Sequence, residues 1–351
     1  MEPSVLFKSS DGGTVVIDIP RSLEEAQVLP GHIITRRIVS TPPREIPWQV
    51  PEPKKGAARY VSPSAAVAEL MTLESVKAAL KIARAGYDGP WCLPRVTCKP
   101  ADGSELSRAA QSHKRKYKPS SPVLQEDKET STGSIVPEQS CHLLGTVESQ
   151  REAFLQNAPQ FHLIVLDPPW PSRSVKRKSD SYTIAYSTEE AGKLLLQIPI
   201  ASHLKRDGLV AIWVTNNGAV TDLLTGPGGT FAQWGLEPVG EWIWLKITSA
   251  GEPILDIEST WRKPWERLLI ARRTGSPVSL TTGTKVILGV PDIHSRKPNL
   301  RGLFEDILPN NYTGLELFAR NLTAGWWSWG NEVLLFQQKD KWAPLENEQA
   351  D

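Results

Sequence analysis

Six apolar or near-apolar residues, Phe161–Leu166, run directly into Asp167-Pro168-Pro169-Trp170. Two consecutive prolines fix φ, remove two backbone donors and bar a helix start, so a strand here must end in a stiff turn. The turn holds a carboxylate, a free Pro168 carbonyl and an indole together at the C-terminal end of a strand. Ligand crevices of open α/β sheets lie at such ends. The chemistry that needs these groups side by side is transfer to an aromatic exocyclic amine. The 6-amino group of adenine is a poor nucleophile because its lone pair is delocalised into the ring. Asp167 and the Pro168 carbonyl can each accept one of its N–H bonds and return the lone pair to nitrogen. The carboxylate also stabilises the positive charge that develops during attack on an electrophilic methyl group. Trp170 can stack on the base, worth about 1–3 kcal/mol in single-strand binders. The base must leave a duplex stack to reach such a site. The reading without chemistry is an Asp-Pro-Pro turn with a buried tryptophan.

The elements around this turn follow from periodicity. From about residue 141 the chain is dense and apolar, and eleven of the 13 tryptophans lie at or after Trp170. Strand-like runs at 161–166, 209–215, 241–247, 268–271, 285–290, 315–319 and 332–336 alternate with helical patterns that include 188–196 and 301–308. Alternating buried strands and helices predict an α/β sheet covered on both faces. Upstream, 14–19 and 33–39 read as strands separated by proline-rich stretches. Residues 62–85 read as an amphipathic helix, started by Ser62-Pro63-Ser64 and ended by Gly86. Residues 99–140 are rich in Ser, Pro, Lys, Glu and Thr and bury too little apolar surface to offset ordering, which predicts a disordered linker. The expected organisation is an accessory α+β region over 1–98, the linker over 99–140 and the main domain over 141–345.

Composition excludes several classes. The 351 residues carry 40 Lys plus Arg against 39 Asp plus Glu, a net charge of +1. A globally basic nucleic-acid coat is excluded, whereas local patches are not. Cys92, Cys98 and Cys141 make no disulfide scaffold and no CxxC pair, so no metal site is expected. No apolar run reaches the length of a membrane span and no secretory leader is visible, so the expectation is a reduced, soluble, intracellular protein without membrane contact. Arg173, Lys176, Arg177 and Lys178 follow the turn closely and are expected to meet phosphates. Arg262, Lys263 and Arg267 form a second basic group, and Arg296, Lys297 and Arg301 a third. The basic cluster at 113–118 reads as an import signal, a phosphate contact or a solvated linker patch. Gly226-Pro227-Gly228-Gly229 opens no clear helix and reads as a turn.

Several blocks, in order, carry a resemblance. After Asp-Pro-Pro-Trp come Ser174-Val175-Lys176-Arg177, Ile212-Trp213-Val214-Thr215-Asn216 and Glu241-Trp242-Ile243-Trp244-Leu245-Lys246-Ile247-Thr248. Arg262-Lys263-Pro264-Trp265-Glu266, Ser295-Arg296-Lys297-Pro298, Glu316-Leu317-Phe318-Ala319-Arg320-Asn321 and Trp329-Gly330-Asn331-Glu332 follow. Over about residues 161–336 the chain resembles the MT-A70-like N(6)-adenine methyltransferases, and among them the methyltransferase-like protein 4 branch. The resemblance implies an α/β, Rossmann-like methyltransferase sheet in permuted motif order, with S-adenosyl-L-methionine as methyl donor. It assigns catalysis to Asp167, Pro168, Pro169 and Trp170. It assigns the cofactor to Asp167, Lys263, Glu316, Phe318, Arg320, Asn321, Asn331 and Glu332. Within that set, Glu316 would accept from a ribose hydroxyl, and Lys263 would face the methionine carboxylate or be a surface charge. The better-known members have Asn-Gln where this chain has Asn331-Glu332, so Glu332 is a departure. Substrate contacts fall to Trp170, Lys176, Arg177, Tyr186 and Asn216, with Tyr186 in a mobile loop or in the core.

The resemblance further implies a nucleic-acid partner, RNA in preference to DNA, and residence in the nucleus, with the cytoplasm as the alternative. For the branch, an internal 2′-O-methyladenosine of U2 small nuclear RNA is the associated target. No protein partner is indicated. Two other readings compete: a non-catalytic nucleic-acid-binding subunit, and a protein-amide methyltransferase. The intact box with Glu316 and Asn331 speaks against the first. The second is expected to show Asn-Pro-Pro-aromatic and no flanking basic runs.

Overall fold

The structure is a computed structural model that describes residues 1–50, 63–97, 123–124, 133–171, 187–259, 262–280 and 283–345. Its elements in chain order are β1 (Val5–Lys8), β2 (Thr14–Ile17), α1 (Ile19–Glu25), β3 (Arg36–Ser40), α2 (Pro63–Gly86), β4 (Val96–Thr97), β5 (Val123–Leu124) and β6 (Cys141–Leu144). There follow α3 (Val147–Asn157), β7 (Phe161–Leu166), α4 (Thr188–Leu196), α5 (Ile200–His203), β8 (Leu204–Val214), α6 (Gly218–Thr225), α7 (Thr230–Gln233) and β9 (Leu236–Lys246). The last are β10 (Trp265–Arg273), β11 (Thr284–Gly289), α8 (Arg301–Phe304), β12 (Gly314–Leu317), β13 (Trp327–Gly330) and β14 (Trp342–Pro344).

Eleven strands form one sheet in the order β1-β2-β11-β9-β10-β8-β7-β12-β13-β6-β5. The run β8-β7-β12-β13-β6 is parallel throughout. Antiparallel β10 lies between β8 and β9. From β7 the chain proceeds outward to β8, and from β12 it proceeds the other way to β13. The strand order therefore reverses between β7 and β12, and the open crevice of such a sheet lies above their C-terminal ends.

Side-chain alternation along the strands feeds two faces. Val210, Ile212 and Val214 of β8 enter one core with Phe154, Leu195 and Phe231. Leu209, Ala211 and Trp213 enter the opposite core with Trp242, Phe304 and Trp326. α2 covers the far end of the sheet through Leu73, Val76, Ala79, Leu80 and Ala83 against Ile243, Leu245 and Val286. That spacing is the apolar stripe of an amphipathic helix. α4 starts where Ser187 accepts from the Glu190 N–H, with Glu189 and Glu190 in its first turn, as the helix dipole favours.

The structure departs from the sequence reading in four places. The strand expected at 14–19 stops at Ile17, because Asp18 caps α1 by accepting from the Arg21 N–H at 2.8 Å and Pro20 opens the helix. The helix expected at 301–308 is only Arg301–Phe304. The strand expected at 332–336 is a series of turns, closed by Val333 N–H to the Gly330 carbonyl and Leu335 N–H to the Glu332 carbonyl. The strand of this region is β13, just before it. Residues 133–140, expected in the linker, are packed: Val136 is buried and the Ile135 N–H donates to the Gln337 carbonyl at 2.7 Å. The rest of the linker, with the basic cluster at 113–118, lies outside the described residues apart from β5. β1 and β2, from the accessory region, add to the main sheet through β11.

Candidate active site

β7 is buried on both faces and ends at the two prolines. The Asp167 N–H still donates to the Leu317 carbonyl at 3.3 Å, so the carboxylate is held beside the end of β12. The Trp170 N–H donates to the Pro168 carbonyl at 2.8 Å, closing a three-residue turn around Pro169, whose fixed φ suits it. The Pro168 carbonyl is therefore not free, as the sequence reading had it. One of its two lone pairs is used internally and the other remains. Trp170 is corrected further. Its ring is 7% exposed, and its Nε1–H donates to the Trp213 carbonyl at 2.7 Å. It locks the turn onto β8 and presents little face for a base.

Among the described residues, the cation at the box is Lys297. Its Nζ donates to both oxygens of Asp167, at 3.1 and 2.9 Å, and lies 3.1 Å from Glu266 of β10. Glu266 in turn pairs with Lys246 at the end of β9. Asp167, Lys297, Glu266 and Lys246 thus form a row of alternating charge across the strand ends. Burial works against the charge of Lys297, but Asp167 and Glu266 outweigh it and hold its pKa above the ordinary lysine value. Burial likewise opposes the charge of Glu266, yet Lys297 and Lys246 bring its pKa down to about 2. The sequence reading places Lys297 in a basic group expected to meet phosphates, and has Lys263 facing the methionine carboxylate or being a surface charge. Lys263 instead pairs with Glu69 of α2 at 2.7 Å and lies over the Trp265 ring. Lys297 is carried by the loop that leaves β11 and crosses the ends of β9, β10 and β8. Buried Arg296 anchors that loop to Asp292 and to the Val39 carbonyl.

Glu316 of β12 is half-buried and has no hydrogen-bond partner among the described residues. Burial and then the Asp167 charge push its pKa up to about 8, against the pull of Lys297 and Arg320. β12 ends at Leu317, and the next residue, Phe318, has a left-handed φ of 59°, a costly conformation for an aromatic residue outside a functional turn. Beyond it, Arg320 donates to Glu332 at 3.2 Å, so the acid that departs from the family pattern is paired. Asn321 is buried and Asn331 exposed. A cavity of about 60 Å³ joins Pro169, Phe318, Asn331 and Glu332 to Gly145 and Thr146 after β6. Gly330 permits this closeness: a Cβ there would lie 2.7 Å from the Ala319 carbonyl oxygen. Asn216, exposed after β8, donates to the Trp265 carbonyl at 2.8 Å. Arg173, Lys176, Arg177, Lys178 and Tyr186 lie outside the described residues.

At the switch point the structure thus sets an ion-paired carboxylate beside a second, desolvated carboxyl and a small cavity on the neighbouring strands. Residues 161–332 match the MT-A70 family profile. The chain is 48% identical over 347 residues to a Cryphonectria parasitica protein named N6-methyladenosine RNA methyltransferase MTA1, covering 97% of this chain and 94% of that protein. It is 45% identical to a Pyricularia oryzae protein of the same name, covering 99% and 98%. It is 36% identical to the mouse N(6)-adenine-specific methyltransferase METTL4, covering 61% of this chain and 46% of that one. The chain belongs to the MT-A70 family of N(6)-adenine methyltransferases.

Proposed function

We propose that this protein transfers a methyl group from S-adenosyl-L-methionine to the 6-amino group of adenine in single-stranded RNA. The observation that carries the proposal is the intact Asp-Pro-Pro-Trp box, placed at the switch point with Asp167 held as an ion pair by Lys297. Near full-length likeness to relatives named as RNA methyltransferases favours RNA.

The residues present fit the cofactor. Glu316, desolvated and without a hydrogen-bond partner among the described residues, is placed to accept from ribose hydroxyls. Asn331 and Glu332, on the rim of the small cavity beside Phe318, offer an amide and a carboxylate to the polar edge of a nucleoside. When bound, S-adenosyl-L-methionine supplies the electrophilic methyl group. Asp167 accepts one N–H of the adenine amine, and the remaining lone pair of the Pro168 carbonyl accepts the other. This draws the nitrogen towards tetrahedral geometry. Lys297 holds the Asp167 carboxylate by both oxygens, so a positioned negative group faces the amine as it becomes cationic. Trp170, anchored to Trp213, keeps both acceptors in register. After the transfer the cationic amine gives its surplus proton to solvent.

A 2′-O-methyladenosine of U2 small nuclear RNA is the finer target we assign to it, with nuclear residence. The test is methyl transfer from labelled S-adenosyl-L-methionine into matched RNA, 2′-O-methylated RNA and DNA oligonucleotides, with Asp167→Ala alongside. Label in RNA adenine that vanishes in the variant supports the proposal. Label confined to DNA overturns the substrate assignment, and label retained in the variant overturns the mechanism.

A further inference from the structure

Of the twelve tryptophans the structure describes, nine are buried and Trp91 and Trp327 are half-buried. Trp48 alone is exposed, at 54%. Its exposure is not slack chain. Pro42, Pro43 and Pro47 fix φ along the strap that carries it. The Trp48 N–H donates to the Ile254 carbonyl at 2.8 Å, and the Arg44 carbonyl accepts from the Ser249 N–H at 2.8 Å. The Arg44 guanidinium lies 4.0 Å from the Trp48 ring centroid and covers one face. Even so, more than half of the residue's surface stays exposed.

The strap sits on the rim of the site. Residues 249–254 form the turn that follows β9, and the Ile254 N–H donates to the Lys246 carbonyl at 2.9 Å. Lys246 is the outer member of the charge row that ends at Asp167. Trp48 and Asp167 therefore share one edge of the sheet, within reach of a single extended nucleic-acid strand.

We infer that Trp48 is a stacking platform for an unpaired base flanking the target adenine, with Arg44 meeting the adjoining phosphate. The inference rests on the proposed single-stranded nucleic-acid substrate. Three physical points carry it. A held aromatic ring loses little freedom on binding, so its stacking is nearly all gain. Every base offers a π face, and an Arg-backed indole extends the stack by a cation–π contact. The strap also carries exposed Glu45, and Glu252 of the adjoining turn pairs with Arg84, so the surroundings are not strongly basic. Affinity here comes from stacking more than from charge. Ile46, exposed beside Trp48, would serve a protein partner better than a base, and the experiment separates the two.

The test uses the full chain with Trp48→Ala, Trp48→Phe and Arg44→Ala. Affinity for a single-stranded RNA of about twelve nucleotides and the KM for its methylation are measured with the melting temperature. Trp48→Ala is expected to weaken binding about 5- to 150-fold at every salt concentration, and to raise KM in parallel. Trp48→Phe is expected to recover most of the loss, because a ring remains. Arg44→Ala is expected to reduce the slope of log affinity against log salt by about 0.7. The melting temperature is expected to hold in all three, as the residues are at the surface. Unchanged RNA affinity and KM in Trp48→Ala overturn the inference and leave the strap to a protein partner. A wild-type chain that binds no single-stranded RNA overturns it too. RNA binding that depends on Trp48 without any methyl incorporation supports the platform while refuting the proposed enzyme activity.

Discussion

Lys297 places its ammonium 3.1 and 2.9 Å from the two carboxylate oxygens of Asp167, a residue 130 positions earlier in the chain. The pair joins the box to a loop from the far side of the sheet. Lys297→Met should therefore lower turnover more than it lowers cofactor affinity. It should also cost stability of about 3 kcal/mol, the lower end of the range for a broken buried pair, because the lysine keeps some contact with water. Calorimetry and steady-state kinetics on the same preparation check both. Lost cofactor affinity with kcat unchanged would make Lys297 a binding residue only.

Asp167→Asn keeps the shape of the box and removes its charge. Turnover should fall about 10²–10³-fold, the usual effect of losing one electrostatic contact to a developing charge. The same change removes one cause of the raised Glu316 pKa, so that carboxyl should titrate lower. Carboxyl chemical shifts across a pH series read this directly.

Two carboxyls give opposite pH dependences. Glu266 has a folded pKa of about 2, below its ordinary 4.5, so its contribution is complete above pH 4.5 and is lost as pH falls towards 2. Glu316 has a folded pKa of about 8, above its ordinary 4.5, so its contribution is complete below pH 4.5 and is lost as pH rises through 8. Glu316→Gln should therefore gain stability over the wild type progressively from pH 5 to pH 9, reaching a few kcal/mol at most. Glu266→Gln should be destabilised near neutral pH and converge with the wild type in acid. Denaturant unfolding at four or five pH values distinguishes the two slopes.

Gly330→Ala would put a Cβ 2.7 Å from the Ala319 carbonyl oxygen and 2.9 Å from its nitrogen. Backbone cannot yield as a side-chain tip can. The expected cost is about 1–3 kcal/mol, with weaker binding of S-adenosylhomocysteine because Asn331 moves with the strand end. Thermal unfolding and titration calorimetry test it. Unchanged ligand affinity would separate Asn331 from the cofactor.

Arg296→Ala would leave Asp292 buried with less compensation and release the loop that carries Lys297. A loss of about 3–5 kcal/mol is expected. Arg296→Lys should recover part of it, and circular-dichroism melts rank the three proteins.

The catalytic turn was legible because its signals are local. An apolar run followed by two prolines ends a strand, and β7 falls on Phe161–Leu166 as read. α4 was legible for the same reason, since Ser187 and the two glutamates after it mark a helix start. What escaped depends on strand order. No spacing rule joins Lys297 to Asp167, and nothing local shows that Lys263 pairs with Glu69 of α2. The role of Trp170 was misread because its partner, the Trp213 carbonyl, is 43 residues away on β8. The run after Gly330 was apolar enough for a strand, but its N–H groups close turns instead. Trp48 passed unnoticed because exposure is not written in a proline-rich stretch.

The pairing of β14 with β3 sets Trp342 against Ile38, partners about 300 residues apart. At about 5–20 residues per second of synthesis, some 15–60 s pass between the appearance of the two strands. β2 waits almost as long for β11, which it meets at Val16 and Leu288. During that interval β1 can pair with β2 and β3 with β4, but β2 and β3 each keep one edge without its native partner. Production of the folded enzyme should therefore lean on holding chaperones, and slowing the ribosome late in the message should harm its yield more than slowing it early.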